Sequence, residues 1–360
     1  MIKAVKEERI PHAIMFSGPK GNGALPLAIA FASYIQCKGE KEEDKCGQCK
    51  ACNKTSKLIH PDINFIFPSI STGSQSTPCS KYINEWRNTV LNKTFFDIND
   101  WIKEINAESK NANISSATIM ELIHYYSLKK FEGNKKISII WQAELMKEQG
   151  NKILKLIEEP PEDSLFLFIT NNIEKILPTI LSRCRIITVP PFEDKDLINW
   201  AKMQNYNIPA NELEEIANIA EGDMEEFIKM LNHNTNDFYS EFLTWMRLNY
   251  TGNSYDLFSY IDGFAKKTKE NQKYFFKYGL KFMEKVFKSF YLDKDNINAL
   301  QEEYDSILKI KKLLDEEKAL KIIKILNDNI YFLERNANVK VMMYSTSRQI
   351  HRLLRDKVTA

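Results

Sequence analysis

The chain has 360 residues, 43% of them apolar and 27% charged, enough for two or three domains that each bury a core. Lys and Arg number 50 against 48 Asp and Glu, a net charge of +2, so no global field draws the chain to nucleic acid and any DNA contact must be local. No apolar run approaches the ~18–20 residues of a bilayer span and no secretory signal opens the chain, so a cytoplasmic protein without membrane contact is expected.

Residues 12–17 form a short apolar run that ends in Gly18-Pro19-Lys20-Gly21-Asn22-Gly23, and residues 24–36 then keep a largely apolar helical pattern. This order predicts strand, glycine loop and helix. Pro26 does not oppose the helix, because the N–H it lacks would be unsatisfied in the first turn anyway. Cys37, Cys46, Cys49 and Cys52 follow with the spacing C-x8-C-x2-C-x2-C, interrupted by polar, turn-prone residues. Such crowding suits a closed four-thiolate zinc site in a reducing compartment, with iron–sulfur ligation or free thiols as the alternatives. His60 precedes Pro61 at the start of a strand and is read as structural; Cys79 is read as a bystander.

Residues 62–67, 136–141 and 165–170 are further apolar runs, separated by helical stretches at 116–129 and 148–159, and 185–189 is strand-like. The alternation predicts a doubly wound parallel α/β layer. Residues 69–113 are polar yet contain Trp86, Phe95, Phe96 and Trp101, and are read as an insertion with some helix. The Pro190-Pro191 pair is taken as the domain boundary, and from residue 192 onward the spacing is helical.

A phosphate-binding loop needs Gly-x-x-x-x-Gly-Lys-Ser/Thr, in which lysine neutralises phosphate and the hydroxyl holds magnesium. Here Gly18, Gly21 and Gly23 supply the turn, but Ala24 stands at the lysine position and Leu25 at the hydroxyl position. At the end of the 136–141 run, where Asp and Glu would orient magnesium and water, stand Trp141 and Gln142, with Glu144 two positions on. Neither element supports ATP hydrolysis.

Several stretches together resemble the bacterial clamp-loader family, the delta prime and gamma/tau subunits of the DNA polymerase III holoenzyme, within the AAA+ class. They are Pro11-His12-Ala13 leading to Phe16-Ser17-Gly18-Pro19, the cysteine box, His60-Pro61-Asp62, the run from Asn151 to Glu158-Glu159-Pro160-Pro161, Leu181-Ser182-Arg183-Cys184-Arg185, and the tail Glu334-Arg335-Asn336-Ala337-Asn338. The resemblance covers nearly the whole chain apart from residues 69–113. The family usually has a further helix and a Gly-Gln segment before Val5, whereas this chain begins close to that point.

The resemblance implies an α/β plus all-α architecture: an AAA+-like domain over 1–189 with a zinc lobe at 37–52, a helical lid over 190–234 and a helical collar over 235–360 that holds subunits together. It implies a non-catalytic subunit of the delta prime kind, because the sensing arginine expected after Gly222-Asp223-Met224 is Glu225, and the lysine, hydroxyl, aspartate and glutamate are replaced too. Arg183, between Ser182 and Cys184, resembles the arginine finger that reaches into a neighbouring subunit's ATP site, a task that suits a permanently charged, bidentate guanidinium. Cys184 is read as a packing residue, and Thr170 and Asn171 occupy the place of the first phosphate sensor. The implied partners are gamma/tau-type and delta-type subunits, the sliding clamp and, through the complex, primed DNA; zinc is the cofactor and no ATP is expected. The alternatives are an active gamma/tau-type ATPase and a stand-alone zinc-containing nucleic-acid-binding protein. The last would use Lys273, Lys277, Lys281, Lys285 and Lys288, a stripe that suits a solvated helix face equally well.

Overall fold

The computed structural model describes residues 1–40, 43–70, 76–107, 112–232, 238–297, 299 and 301–355. The expected division between lid and collar at 234–235 lies outside them. The chain forms two compact units, one of Met1–Trp200 with Ala220–Ile228, the other of Ala201–Ile219 with Lys229–Ala360. No helix of the described residues is long and apolar enough to cross a membrane.

The first unit is built on five parallel strands, β1 (Ala13–Ser17), β2 (Ile63–Ile66), β3 (Lys136–Trp141), β4 (Ser164–Thr170) and β5 (Arg185–Thr188), in the order β2-β3-β4-β1-β5. Every residue of β3 and β4 is buried, which is why those segments read as unbroken apolar runs, whereas β5 at the edge is largely exposed. This sheet with helices packed around it is the α/β layer that the alternation predicts. The parallel register gathers the carboxyl ends of the strands, Ser17, Trp141 and Thr170 among them, along one edge of the sheet. That edge is where α/β proteins place their ligands.

The described residues of the 69–113 stretch contribute to the core. Helices Ile83–Asn92 and Ile98–Glu104 carry Trp86 and Trp101 into it, with Phe96 between them, all three buried. Trp86 stacks on Phe67 at 4.3 Å and meets Trp101 at 5.3 Å and Trp141 at 5.2 Å. The segment is pinned at both ends by an antiparallel bridge between Ser69 and Asn113. The expected helix at 148–159 is shorter: 3-10 turns over Ala143–Ile153 break at Lys147, whose φ is 48°, and an α-helix resumes only for Leu154–Glu158.

Asp62 ties β2 to the turn before β3. Its carboxylate accepts N–H groups from Phe131 at 2.7 Å, Glu132 at 2.8 Å and Gly133 at 2.6 Å. Burial alone would raise this carboxyl, but the N–H groups of Glu132, Phe131 and Gly133 together outweigh it and hold Asp62 below the ordinary carboxylate value. A carboxyl depressed by folding stabilises the native state above its unfolded pKa, and that contribution is lost as pH falls through the folded value. Asp62→Asn is therefore expected to cost about 1.5–3 kcal/mol at neutral pH and to flatten the acid limb of the stability curve. Urea unfolding at about pH 7 and about pH 3 checks this, and parallel acid limbs for variant and parent would contradict it.

The second unit is helical throughout its described residues. Helix Lys269–Lys288 packs along helix Glu316–Glu334, and Phe242, Trp245, Phe264, Phe275, Phe276 and Phe282 are buried between the helices. Trp245 Nε1 donates to Ser347 Oγ at 2.9 Å, joining helices Phe238–Thr251 and Val339–Arg355. Three lysines of the stripe are engaged within the unit: Lys285 with Glu303 at 2.8 Å, Lys273 with Glu334 at 3.7 Å and Lys281 with Glu284 at 3.4 Å.

Candidate functional site

The glycine loop leaves β1 and enters helix Ala24–Gln36 through Gly23, at φ 75°. Its polar groups are held by the protein itself. The Asn171 amide, at the end of β4, donates to the carbonyls of Gly18 and Pro19 at 3.2 and 3.0 Å, and the Met224 N–H donates to the Gly21 carbonyl at 3.2 Å. Asn22 is buried, donates to the Val189 carbonyl at 3.1 Å and accepts the Ala24 N–H at 3.0 Å, so one helix-terminal donor that could meet a phosphate is already satisfied. A side chain at Gly21 would collide with Asp223, the residue just before helix Met224–Leu231.

Above the loop remains a cavity of about 20 Å³, room for about one water. Phe95, Phe96, Trp141, Asn171 and Glu225 line it together with the buried Ala24 and Leu25. Trp141, at the position expected for a magnesium-orienting acid, is buried 5.2 Å from the Phe96 ring. Gln142, in the left-handed region, donates to Asn171 Oδ1 at 3.0 Å. Glu144 turns inward, where it accepts the Asn171 N–H at 3.3 Å. Glu225, the residue at the expected sensor position, is among the residues that line the cavity.

Three contributors were missed at the level of sequence: Asn22 as an internal cap, and Phe95 and Phe96 as cover. Asn between two glycines is the available signal for the cap, since its amide readily bonds backbone two residues on. The Phe95-Phe96 pair gives no sign of which element it covers.

At a separate place, helix Pro178–Leu181 ends in Ser182, Arg183 and Cys184 before β5 begins. Arg183 is half-buried; Nη1 donates to the Thr179 carbonyl at 2.7 Å and to Ser182 Oγ at 3.1 Å, and Nη2 pairs with Glu158 at 2.5 Å. Cys184 packs against the core, and burial pushes its thiol up to about 12, which removes it as a nucleophile.

The four cysteines of the box converge. Their sulfurs all lie within 4.8 Å of one another, and those of Cys46 and Cys52 are 3.9 Å apart. A tetrahedral zinc with Zn–S bonds of about 2.3 Å needs sulfurs about 3.8 Å apart, so the donor set fits that ion as a structural site with no ligand position left open. The N–H groups of Cys52 and Lys38 pull the Cys49 thiol down to about 6, while burial drives Cys52 up to about 12. A divalent cation supplies the charge that lets four thiolates sit together. His60 stands outside this cluster and uses Nδ1 to accept the Asp62 N–H at 3.2 Å. Helix Lys50–Ser56, which carries Cys52, is tied to the turn before β3 by Lys54, which pairs with Glu132 at 2.6 Å.

Residues 1–193 match the family described as DNA polymerase III, delta subunit. The chain is 25% identical over 196 residues to DNA polymerase III subunit delta' of Bacillus subtilis, covering 54% of this chain and 47% of that protein. It is 28% identical over 207 residues to subunit delta' of Buchnera aphidicola, covering 57% and 51%. It is 27% identical over 247 residues to subunit gamma/tau of Mycoplasma genitalium, covering 67% and 34%. The chain thus spans about half, or less, of the length of these relatives. With the match running over more than half of its residues, the chain belongs to the DNA polymerase III delta subunit family.

Proposed function

We propose that this chain is a clamp-loader subunit of the delta prime kind that turns over no ATP itself and lends Arg183 to the ATP site of a gamma/tau-type neighbour. In this reading the assembled complex, which also holds a delta-type subunit, places the sliding clamp on primed DNA in the cytoplasm. The observation that carries it is the glycine loop with no lysine or magnesium-binding hydroxyl at Ala24 and Leu25, and with Trp141 and Glu225 lining the pocket beside it. Loss of the loop's chemistry beside a surface arginine in the Ser-Arg-Cys motif fits a chain needed for another's catalysis. A guanidinium can stabilise the charge that spreads over the transferred phosphoryl oxygens. The division into a 1–189 AAA+-like domain, a 190–234 lid and a 235–360 collar belongs to the same reading. ATP turnover by a reconstituted complex, with and without Arg183, tests it.

An active gamma/tau-type ATPase is the runner-up, and Ala24 and Leu25 in the lysine and hydroxyl positions weigh against it. The nucleic-acid-binding alternative loses support from the lysine stripe, of which Lys273, Lys281 and Lys285 are engaged by acids within the unit.

Zinc is the ion proposed for the cysteine box, in a structural role. The purified chain is expected to carry about one zinc, and chelation or Cys49→Ser to lower the melting temperature of the first unit by several degrees. Elemental analysis with paired thermal melts checks this, and identical melts for the zinc-bound and chelated chain would contradict it.

A further inference from the structure

Glu158 closes the short helix Leu154–Glu158, just before the Pro160-Pro161 pair, and the last turn of a helix is where a carboxylate is least favoured. Its partner is Arg183, with Glu158 Oε1 2.5 Å from Arg183 Nη2, and both side chains remain substantially exposed, at 44% and 34%. A pair so exposed is weak and exchangeable. A phosphate, carrying more charge and able to bind a guanidinium through two parallel bonds, is the stronger acceptor.

We propose that Glu158 is a latch for Arg183, a carboxylate that parks the guanidinium against its own chain until a phosphate of the nucleotide held by a neighbouring subunit displaces it. The proposal rests on the reading that Arg183 acts in trans. The contacts from Nη1 to the Thr179 carbonyl and Ser182 Oγ come from the arginine's own turn and do not depend on Glu158, so they can orient the guanidinium while Nη2 changes partner. A carboxylate left beside the incoming phosphate would repel it, so the pair must open for the finger to engage. Release of Arg183 is thereby coupled to the presence of phosphate across the interface.

The test is a set of five complexes of a gamma/tau-type ATPase subunit with the full chain: parent, Glu158→Gln, Glu158→Ala, Arg183→Ala and the Glu158→Gln/Arg183→Ala double variant, each assayed for kcat and KM of ATP hydrolysis. Glu158→Gln keeps size and an acceptor oxygen but removes the charge; it is expected to raise kcat/KM roughly twofold to fivefold, the equivalent of one exposed ion pair. Glu158→Ala should show the same gain, which separates the latch from a contact needed for folding. In the Arg183→Ala background the Glu158 change is expected to do nothing, since there is then nothing to release. If Arg183→Ala abolishes turnover while both Glu158 variants leave kcat/KM unchanged or lower it, the latch is wrong and the reading of Arg183 stands. If Arg183→Ala retains parental turnover, the trans role of Arg183 fails and the latch fails with it.

Discussion

Arg183→Ala is expected to lower ATP hydrolysis at the site this chain faces by about 10³-fold or more, the scale on which arginine fingers act. The size follows from what the guanidinium does. In the proposed role it would meet the charge that develops in the transition state, and nothing else in the Ser182-Arg183-Cys184 turn could replace it. Arg183→Lys is expected to recover little, because an ammonium cannot form two parallel bonds to phosphate. The folded chain loses little in either variant: the Glu158 pair is exposed and worth about 0.2–1 kcal/mol. Single-turnover hydrolysis in the reconstituted complex reads the effect, and parental rates for the alanine variant would remove Arg183 from the mechanism.

Trp101→Ala is expected to destabilise the first unit by about 3–5 kcal/mol, which amounts to a melting temperature lower by about 6–20 °C. Trp101 is fully buried, stands 5.1 Å from the Phe67 ring, and donates its indole N–H to the Pro68 carbonyl at 2.7 Å. Truncation would leave a large void and an unpaired carbonyl together. A segment merely appended to the surface would tolerate the change, so a melt within about 1 °C of the parent would mean that helix Ile98–Glu104 is not part of the core. The same aromatic cluster positions Phe96 and Trp141 over the glycine loop, which links the stability of this segment to the shape of the cavity.

Much of the first unit was legible because its signals are local. Apolar runs between glycine, proline and polar turns marked all five strands, and the helix after the glycine loop has the expected limits, Ala24–Gln36. The cysteine box was legible from spacing alone, since C-x2-C-x2-C leaves few ways for three sulfurs to point apart. The place of residues 69–113 was not legible. Trp86, Phe96 and Trp101 follow neither a period of two nor one of 3.6, and their partners Phe67 and Trp141 lie far apart in sequence. The break at Lys147, at φ 48°, was hidden as well, because its own residue type favours helix. At the candidate site, the absent lysine and acids could be read directly, but the side chains that occupy the space, Phe95 and Asn22 among them, required the fold. The Glu158–Arg183 pair joins two motifs visible in the sequence whose contact was not.

The most direct test is a titration of the isolated chain with magnesium ATP, followed by the fluorescence of Trp141 at the cavity wall and by calorimetry. With Ala24 and Leu25 in place of the lysine and hydroxyl that would hold phosphate and magnesium, no saturable change and no heat of binding are expected up to about millimolar nucleotide. Saturable, magnesium-dependent binding in the micromolar range, or release of phosphate by the chain alone, would contradict the account.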